Sequence, residues 1–169
     1  MFYKTGILST LAAFAAIAVA AQPFEPKGST EGWNIFFNEK TKGCFAEHQT
    51  PEGAVLQMGT QANMIGVEGT NFGFLAIYVP AALDVAPGEA RPVTFAFGDG
   101  LFGGTAIGVA RDGYSGGYAV ADSEGFFEEI AAQQTMTVNP GTERAFEVDL
   151  TGTRSAIEAV RACQAEMGG

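Results

Sequence analysis

The chain has 169 residues, 19 of them acidic against nine basic, with two cysteines and one histidine. The basic residues beyond Lys4 are scattered (Lys27, Lys40, Lys42, Arg91, Arg111, Arg144, Arg154, Arg161) and offer no patch that could release counterions. That balance excludes nucleic acid and anionic lipid surfaces as partners. Glycine, at 23 residues, is about twice ordinary usage, with no collagen-like period and no low-complexity tract. Many turns between short strands is the reading, not disorder.

The first 21 residues read as a cleavable export signal. Lys4 supplies a positive start, Gly6 to Val19 is an uncharged apolar run, and small residues follow at Ala18, Ala20 and Ala21. Cleavage is expected between Ala21 and Gln22, or one residue earlier. The apolar run has 14 residues, short of the roughly 20 needed to span a bilayer, so a retained anchor is disfavoured. No later run comes close, and no transmembrane segment is expected after the signal is removed. The mature chain of 148 residues keeps eight basic against 19 acidic residues, a net charge of −11. That length suits one domain with its own core, over 32–169.

Residues 22–31 (QPFEPKGSTE) are rich in proline and polar groups and read as a flexible tail. Strand signals follow at close spacing: Trp33–Phe37, a polar turn over Asn38–Gly43, Cys44–His48, a turn over Thr50–Gly53, and Ala54–Met58. Met64–Val67 is a candidate short strand in a glycine-punctuated stretch. Phe72–Val79 is the most apolar run of the mature chain and reads as a central strand ended by Pro80. Pro87-Gly88 marks a turn, Pro92–Phe97 alternates as a strand, and Asp99-Gly100 turns again. Thr105–Ala110 and Tyr114–Ala121 flank Asp112-Gly113, the strongest hairpin signal in the chain. Ser123–Gln134 has helical composition, with Phe126, Phe127, Ile130 and Ala131 on one face and Glu128 and Glu129 outside. Met136–Val138 and Ala145–Leu150 are the last strands. Thr153–Met167 is the best helix, with Ser155 and Glu158 as a capping box (Thr151 or Thr153 as alternative caps) and Ala156, Val160, Cys163 and Met167 on one face. Strands and helices do not alternate, so a mainly β fold is expected: an antiparallel β-sandwich or barrel with a short helix and a C-terminal α-helix.

Cys44 and Cys163 both survive processing. A lone pair in an oxidising compartment reads as a disulfide, closing a loop of about 120 residues worth on the order of 4–5 kcal/mol in the chain-entropy model. The competing reading is two free thiols, for which His48 is the one available base.

Motifs for chemistry are few. Gly98-Asp99-Gly100-Leu101-Phe102-Gly103 spells G-x-G-x-x-G after a strand, with Asp122 about 20 residues on. A dinucleotide fingerprint needs that loop to open a helix, and the following Gly104–Ala110 is glycine-broken and β-branched. A hairpin is the reading, and no cofactor is expected. The same loop fails as a P-loop because Gly104 stands where the phosphate-binding lysine belongs. A triad would have to use His48, and no G-x-S-x-G elbow exists, since Ser115 is preceded by Tyr114. One histidine and no clustered thiols leave no zinc site of ordinary spacing. Asp99, Asp112 and Asp122 sit in turns, where aspartate is common for backbone reasons. No catalytic or metal-binding residue is assigned.

Two segments carry a resemblance. Leu83-Asp84-Val85-Ala86-Pro87-Gly88, the strand Pro92–Phe97 and Gly98-Asp99-Gly100 resemble the central stretch of invasion-associated locus B-like proteins. Phe146–Gly152 followed by Ala156–Val160 is similar to that family's closing strand, glycine and helix, and Trp33 with Cys44 is similar to its opening. The chain departs from the family in lacking extra cysteines in the middle and after the tryptophan, and in adding Cys163. The resemblance implies an exported β-sandwich of Gram-negative bacteria, periplasmic or secreted, with no established catalytic residues.

Three functions compete. The first is a non-enzymatic exported protein, periplasmic or secreted, that acts by binding an unknown protein or envelope component or as an envelope or virulence accessory. The second is a hydrolase that gathers turn carboxylates such as Asp99, Asp112 or Glu124. The third is an inhibitor or chaperone of another secreted protein.

Overall fold

Successive side chains of each strand point to opposite faces of the sheet. Trp33, Ile35 and Phe37 face inward from one strand, and Leu56 and Met58 from another. The structure is a computed structural model that describes residues 24–65, 72–80, 85–111, 113–121, 123 and 125–168. The expected signal over 1–21 with its Ala21–Gln22 cleavage site lies outside the described residues, as do 66–67 of the candidate strand, Leu83, Asp84, Asp112, Asp122 and Glu124.

Ten strands run in chain order: β1 (Glu25–Thr30), β2 (Trp33–Asn38), β3 (Gly43–Gln49), β4 (Val55–Gly59), β5 (Phe74–Val79), β6 (Ala90–Phe97), β7 (Gly100–Arg111), β8 (Tyr114–Val120), β9 (Thr135–Val138) and β10 (Phe146–Asp149). Helices α1 (Phe126–Ala131) and α2 (Thr153–Glu166) complete the described elements, with a 3-10 turn over Ala62–Ile65. All pairings are antiparallel, in one sheet of order β1-β2-β3-β4-β5-β8-β7-β6-β9-β10. The expected mainly β class, short helix and C-terminal helix are present. The sheet is not closed into a barrel: β1 and β10 are its two edges.

The sheet nevertheless curls around one core. Residues from β2–β6, β8–β10 and both helices share a single buried cluster. The two ends meet where the Trp33 indole N–H donates to the Thr151 carbonyl at 2.9 Å. Gly152, φ +78°, caps α2 at that point, and a Cβ there would lie 2.6 Å from the Glu31 carbonyl oxygen. Neither Ser155 nor a threonine caps this helix, because the left-handed glycine turns the chain directly into it. Ser155 instead donates to Glu31 at 3.1 Å.

Helix α2 packs on β1–β4 and on α1. Of the expected face, Ala156, Val160 and Cys163 are buried, with Ile157 beside them, and Met167 lies half-buried just past the helix end. Cys44 and Cys163 are disulfide-bonded, with Cα atoms 6.1 Å apart. Beside the bond, the Gln164 side chain accepts the Cys44 N–H at 2.9 Å and donates to the Lys42 carbonyl at 3.0 Å. β4 pairs with β3 only from Ala46 onward, so this amide takes the ladder's place at the start of β3.

Three expectations need correction. Residues 25–30 of the expected tail form β1, an edge strand exposed on nearly every residue and therefore without an apolar pattern to read. Ile65, within the candidate strand from Met64, ends a 3-10 turn and packs on a second buried cluster of Phe45, Phe74 and Ala76 on the sheet's outer face. β7 starts at Gly100, five residues before the expected Thr105, because the glycines pair along β6 from Phe97↔Gly100 onward.

Replacing both Cys44 and Cys163 by alanine should lower unfolding free energy by up to about 4–5 kcal/mol in urea titration. Gln164→Leu should cost about 1–3 kcal/mol, because it leaves the Cys44 N–H and the Lys42 carbonyl without their partner. A Gln164→Leu protein as stable as the parent would show that the amide adds nothing to the ladder.

Candidate functional site

Helix α2 covers the inner face of only the first half of the sheet. The second half, β5-β8-β7-β6-β9, has a floor of small side chains: Ala106, Gly108, Ser115, Gly116, Gly117 and Ala119. Large residues stand around that floor, among them Leu75, Ile77, Val93, Phe95 and Val138. The result is a concave cavity of about 420 Å³ with largely apolar walls. That volume lies in the range of small-molecule sites, roughly 300–1,000 Å³.

Two turns make the rim. The first, Val85–Glu89, is seated on Gly108. The Gly88 N–H donates to the Gly108 carbonyl at 2.9 Å, and the Gly108 N–H donates to the Glu89 carbonyl at 2.8 Å. A Cβ on Gly108 would fall 2.4 Å from the Ala86 carbonyl oxygen, so only glycine lets the turn sit this close. At its end, Arg91 grips Glu89 with two hydrogen bonds, Nε to Oε1 at 2.8 Å and Nη2 to Oε2 at 3.1 Å. The Ala86 N–H adds a third, to Oε2 at 3.2 Å. These bonds, Arg91 first, hold the Glu89 carboxyl below the usual glutamate range, and the Arg144 guanidinium across the mouth adds to the effect.

The second turn, 139–145, carries Glu143 and Arg144. Asn139, at φ +49°, anchors it: its N–H donates to the Thr94 carbonyl at 2.7 Å and its Oδ1 accepts the Thr94 N–H at 3.1 Å. The Thr142 hydroxyl then donates to the Asn139 carbonyl at 2.8 Å and accepts the Arg144 N–H at 3.1 Å. Glu143 and Arg144 are exposed and, among the described residues, neither forms an ion pair.

The residues singled out in the sequence lie elsewhere. His48 is half-buried, its ring tilted against Trp33 with centroids 5.2 Å apart, and its Nδ1 bonds the Gly32 carbonyl at 2.8 Å. That partner is a backbone carbonyl, which cannot be a nucleophile. The free-thiol reading falls with the disulfide, since the described residues contain no free cysteine. Gly98-Asp99 is the two-residue turn of the β6–β7 hairpin, closed by Phe97↔Gly100, and opens no helix. Asp99 does not line the cavity. Among the described residues no three of His, Cys, Asp and Glu gather as a metal site, and no helix is long and apolar enough to cross a membrane. Sequence reasoning missed Glu89, Arg91, Glu143 and Arg144. Strand alternation puts Glu89 and Arg91 on one face, but nothing in the sequence couples them to residues about 50 positions away.

Glu89 has a folded pKa below its unfolded one, so its pairing stabilises the fold above the ordinary glutamate range and is lost as pH falls through the depressed value. In NMR titration, Glu89 should titrate below the ordinary glutamate value, and Arg91→Gln should raise it, with the Ala86 N–H and Arg144 still holding it down. Glu89 titrating at the ordinary glutamate value in the parent protein would show that the Arg91 grip does not persist in solution.

No family model matches the sequence, and no curated protein does. The structure is similar to the crystal structure of invasion associated protein B from Bartonella henselae, with a TM-score of 0.55 and 16% identity over 84% of this chain and 98% of that one. At that identity the likeness is one of fold. The described chain thus has the fold of invasion associated protein B, with an apolar cavity in the second half of its sheet.

Proposed function

We propose that this chain is an exported, non-enzymatic binding protein and that the cavity over β5–β9 is its ligand site. The observation that carries this reading is the cavity's make-up: a floor of glycine and alanine under apolar walls, with charges confined to the rim. Such a site desolvates an apolar ligand and offers little to a reaction. The carboxylate at its first rim, Glu89, is held ionised by Arg91, which suits an electrostatic rim better than a general acid or base. Export rests on the N-terminal pattern, with cleavage between Ala21 and Gln22 and delivery to the periplasm or beyond. The Cys44–Cys163 bond supports it, because such bonds persist in oxidising compartments. The invasion associated protein B fold supports it further. A protein or envelope component would then meet the protein in its ligand-loaded or empty form.

Uncharged linear alcohols of eight to twelve carbons test the cavity without involving the rim charges. Their affinity should rise roughly fourfold per added methylene until the space is filled. Ala106→Trp, on the cavity floor, should weaken the longest alcohol at least tenfold while the unfolding midpoint stays near the parent's. Equal binding by parent and Ala106→Trp would remove the cavity as the site. Intact mass of the exported protein checks cleavage, with Gln22 or Ala21 expected as first residue.

A further inference from the structure

The rim charges narrow the ligand, given the reading of the cavity as a binding site. Glu89 and Arg91 neutralise each other through two hydrogen bonds. Glu143 and Arg144 face the same mouth from the opposite turn, exposed, adjacent in sequence and, among the described residues, in no ion pair. The mouth therefore presents the Glu143 carboxylate and the Arg144 guanidinium, which reaches Glu89 only through space, above an apolar hollow of about 420 Å³.

We propose that the cavity takes a single-chain amphiphile with a zwitterionic head group, the chemistry of a lysophospholipid. The alkyl chain lies on the Ala106–Gly117–Ala119 floor, the anionic part of the head meets Arg144, and its cationic part meets Glu143. Charge complementarity selects this class over its neighbours. An anionic head satisfies Arg144 but is repelled by Glu143, within a protein whose overall balance is strongly acidic. A cationic head satisfies Glu143 and is repelled by Arg144. A zwitterion meets both and leaves the Glu89–Arg91 pair undisturbed. Arg144 suits a phosphate because its planar fork donates two parallel bonds.

The test compares four ligands with the same 12-carbon chain, each below its micelle concentration: dodecylphosphocholine, dodecanoate, dodecyltrimethylammonium and dodecanol. Calorimetry on the parent protein should rank dodecylphosphocholine about fivefold tighter than either singly charged ligand, as expected for one partly exposed charge pair. Arg144→Gln should make the cationic ligand the best of the charged three, and Glu143→Gln should make the anionic ligand the best. Both residues lie in an exposed turn, so unfolding midpoints should stay at the parent value and separate lost recognition from lost fold. Dodecanoate or dodecyltrimethylammonium binding as tightly as the zwitterion would overturn the proposal, as would a ranking that neither substitution moves. In those cases dodecanol binding that Ala106→Trp abolishes would keep the cavity as a site and discard only the head group. Failure of all four ligands, dodecanol included, would discard both.

Discussion

Helix α2 is fastened to the start of β3, and the rest of the architecture follows from that attachment. The Cys44–Cys163 bond fixes one point, and Gln164 completes the backbone ladder beside it. At the other end of the helix, Gly152 and Thr151 sit against Glu31 and Trp33. Held at both ends, α2 covers Trp33, Ile35, Phe37, Leu56 and Met58, which would otherwise line an open concave face. It also draws the two ends of the sheet together without pairing them. The curl that gives the second half its hollow is thus imposed from the first half.

The two halves of the inner face are chemically unlike. The first is tiled with tryptophan, phenylalanine, leucine and methionine, and a helix seals it. Across β7 and β8 the second carries glycine, alanine and serine, and it is flanked by α1, whose Phe126 packs on Phe95, Phe97 and Phe102. Filling that hollow with large side chains would gain roughly 1.5–3 kcal/mol for each one fully buried. The chain forgoes that gain at Ala106 and Ala119, while at Gly108, Gly116 and Gly117 a Cβ would meet the backbone of Ala86, Ile77 and Ile107. Ala106 and Ala119 face each other across β7 and β8, and together they leave the hollow open.

Much of this was legible from residues alone. Period-two alternation marks β6, aromatic and β-branched residues mark β2, and the i, i+4, i+7 spacing in α2 puts Cys163 where a strand cysteine can reach it. The abundant glycine was misread as a sign of turns only. Gly100, Gly103, Gly104, Gly108, Gly116 and Gly117 lie inside strands, where they carry no pattern, and the last three line the hollow. β1 was illegible for a different reason: an edge strand exposed on both faces needs no alternation, and its place comes from pairing with β2 and from Phe24 packing on Phe36 and Phe45. Local pattern records burial. It is silent where a segment is held by its neighbours' hydrogen bonds.

The mouth of the cavity shows the same limit at the level of function. Glu89 and Arg91 belong to the approach to β6, while Glu143 and Arg144 belong to the turn between β9 and β10. β6 and β9 share only the pairs Phe95↔Val138 and Ala96↔Thr137. Asn139 lengthens that seam, offering Thr94 both its backbone N–H and its side-chain oxygen from a left-handed conformation that asparagine tolerates better than most residues. One residue therefore fixes where the second turn stands relative to the first, and with it the geometry between the four charges. The mouth depends on long-range register more than on any motif, which is why four residues without a signature in sequence come together only when the sheet is assembled.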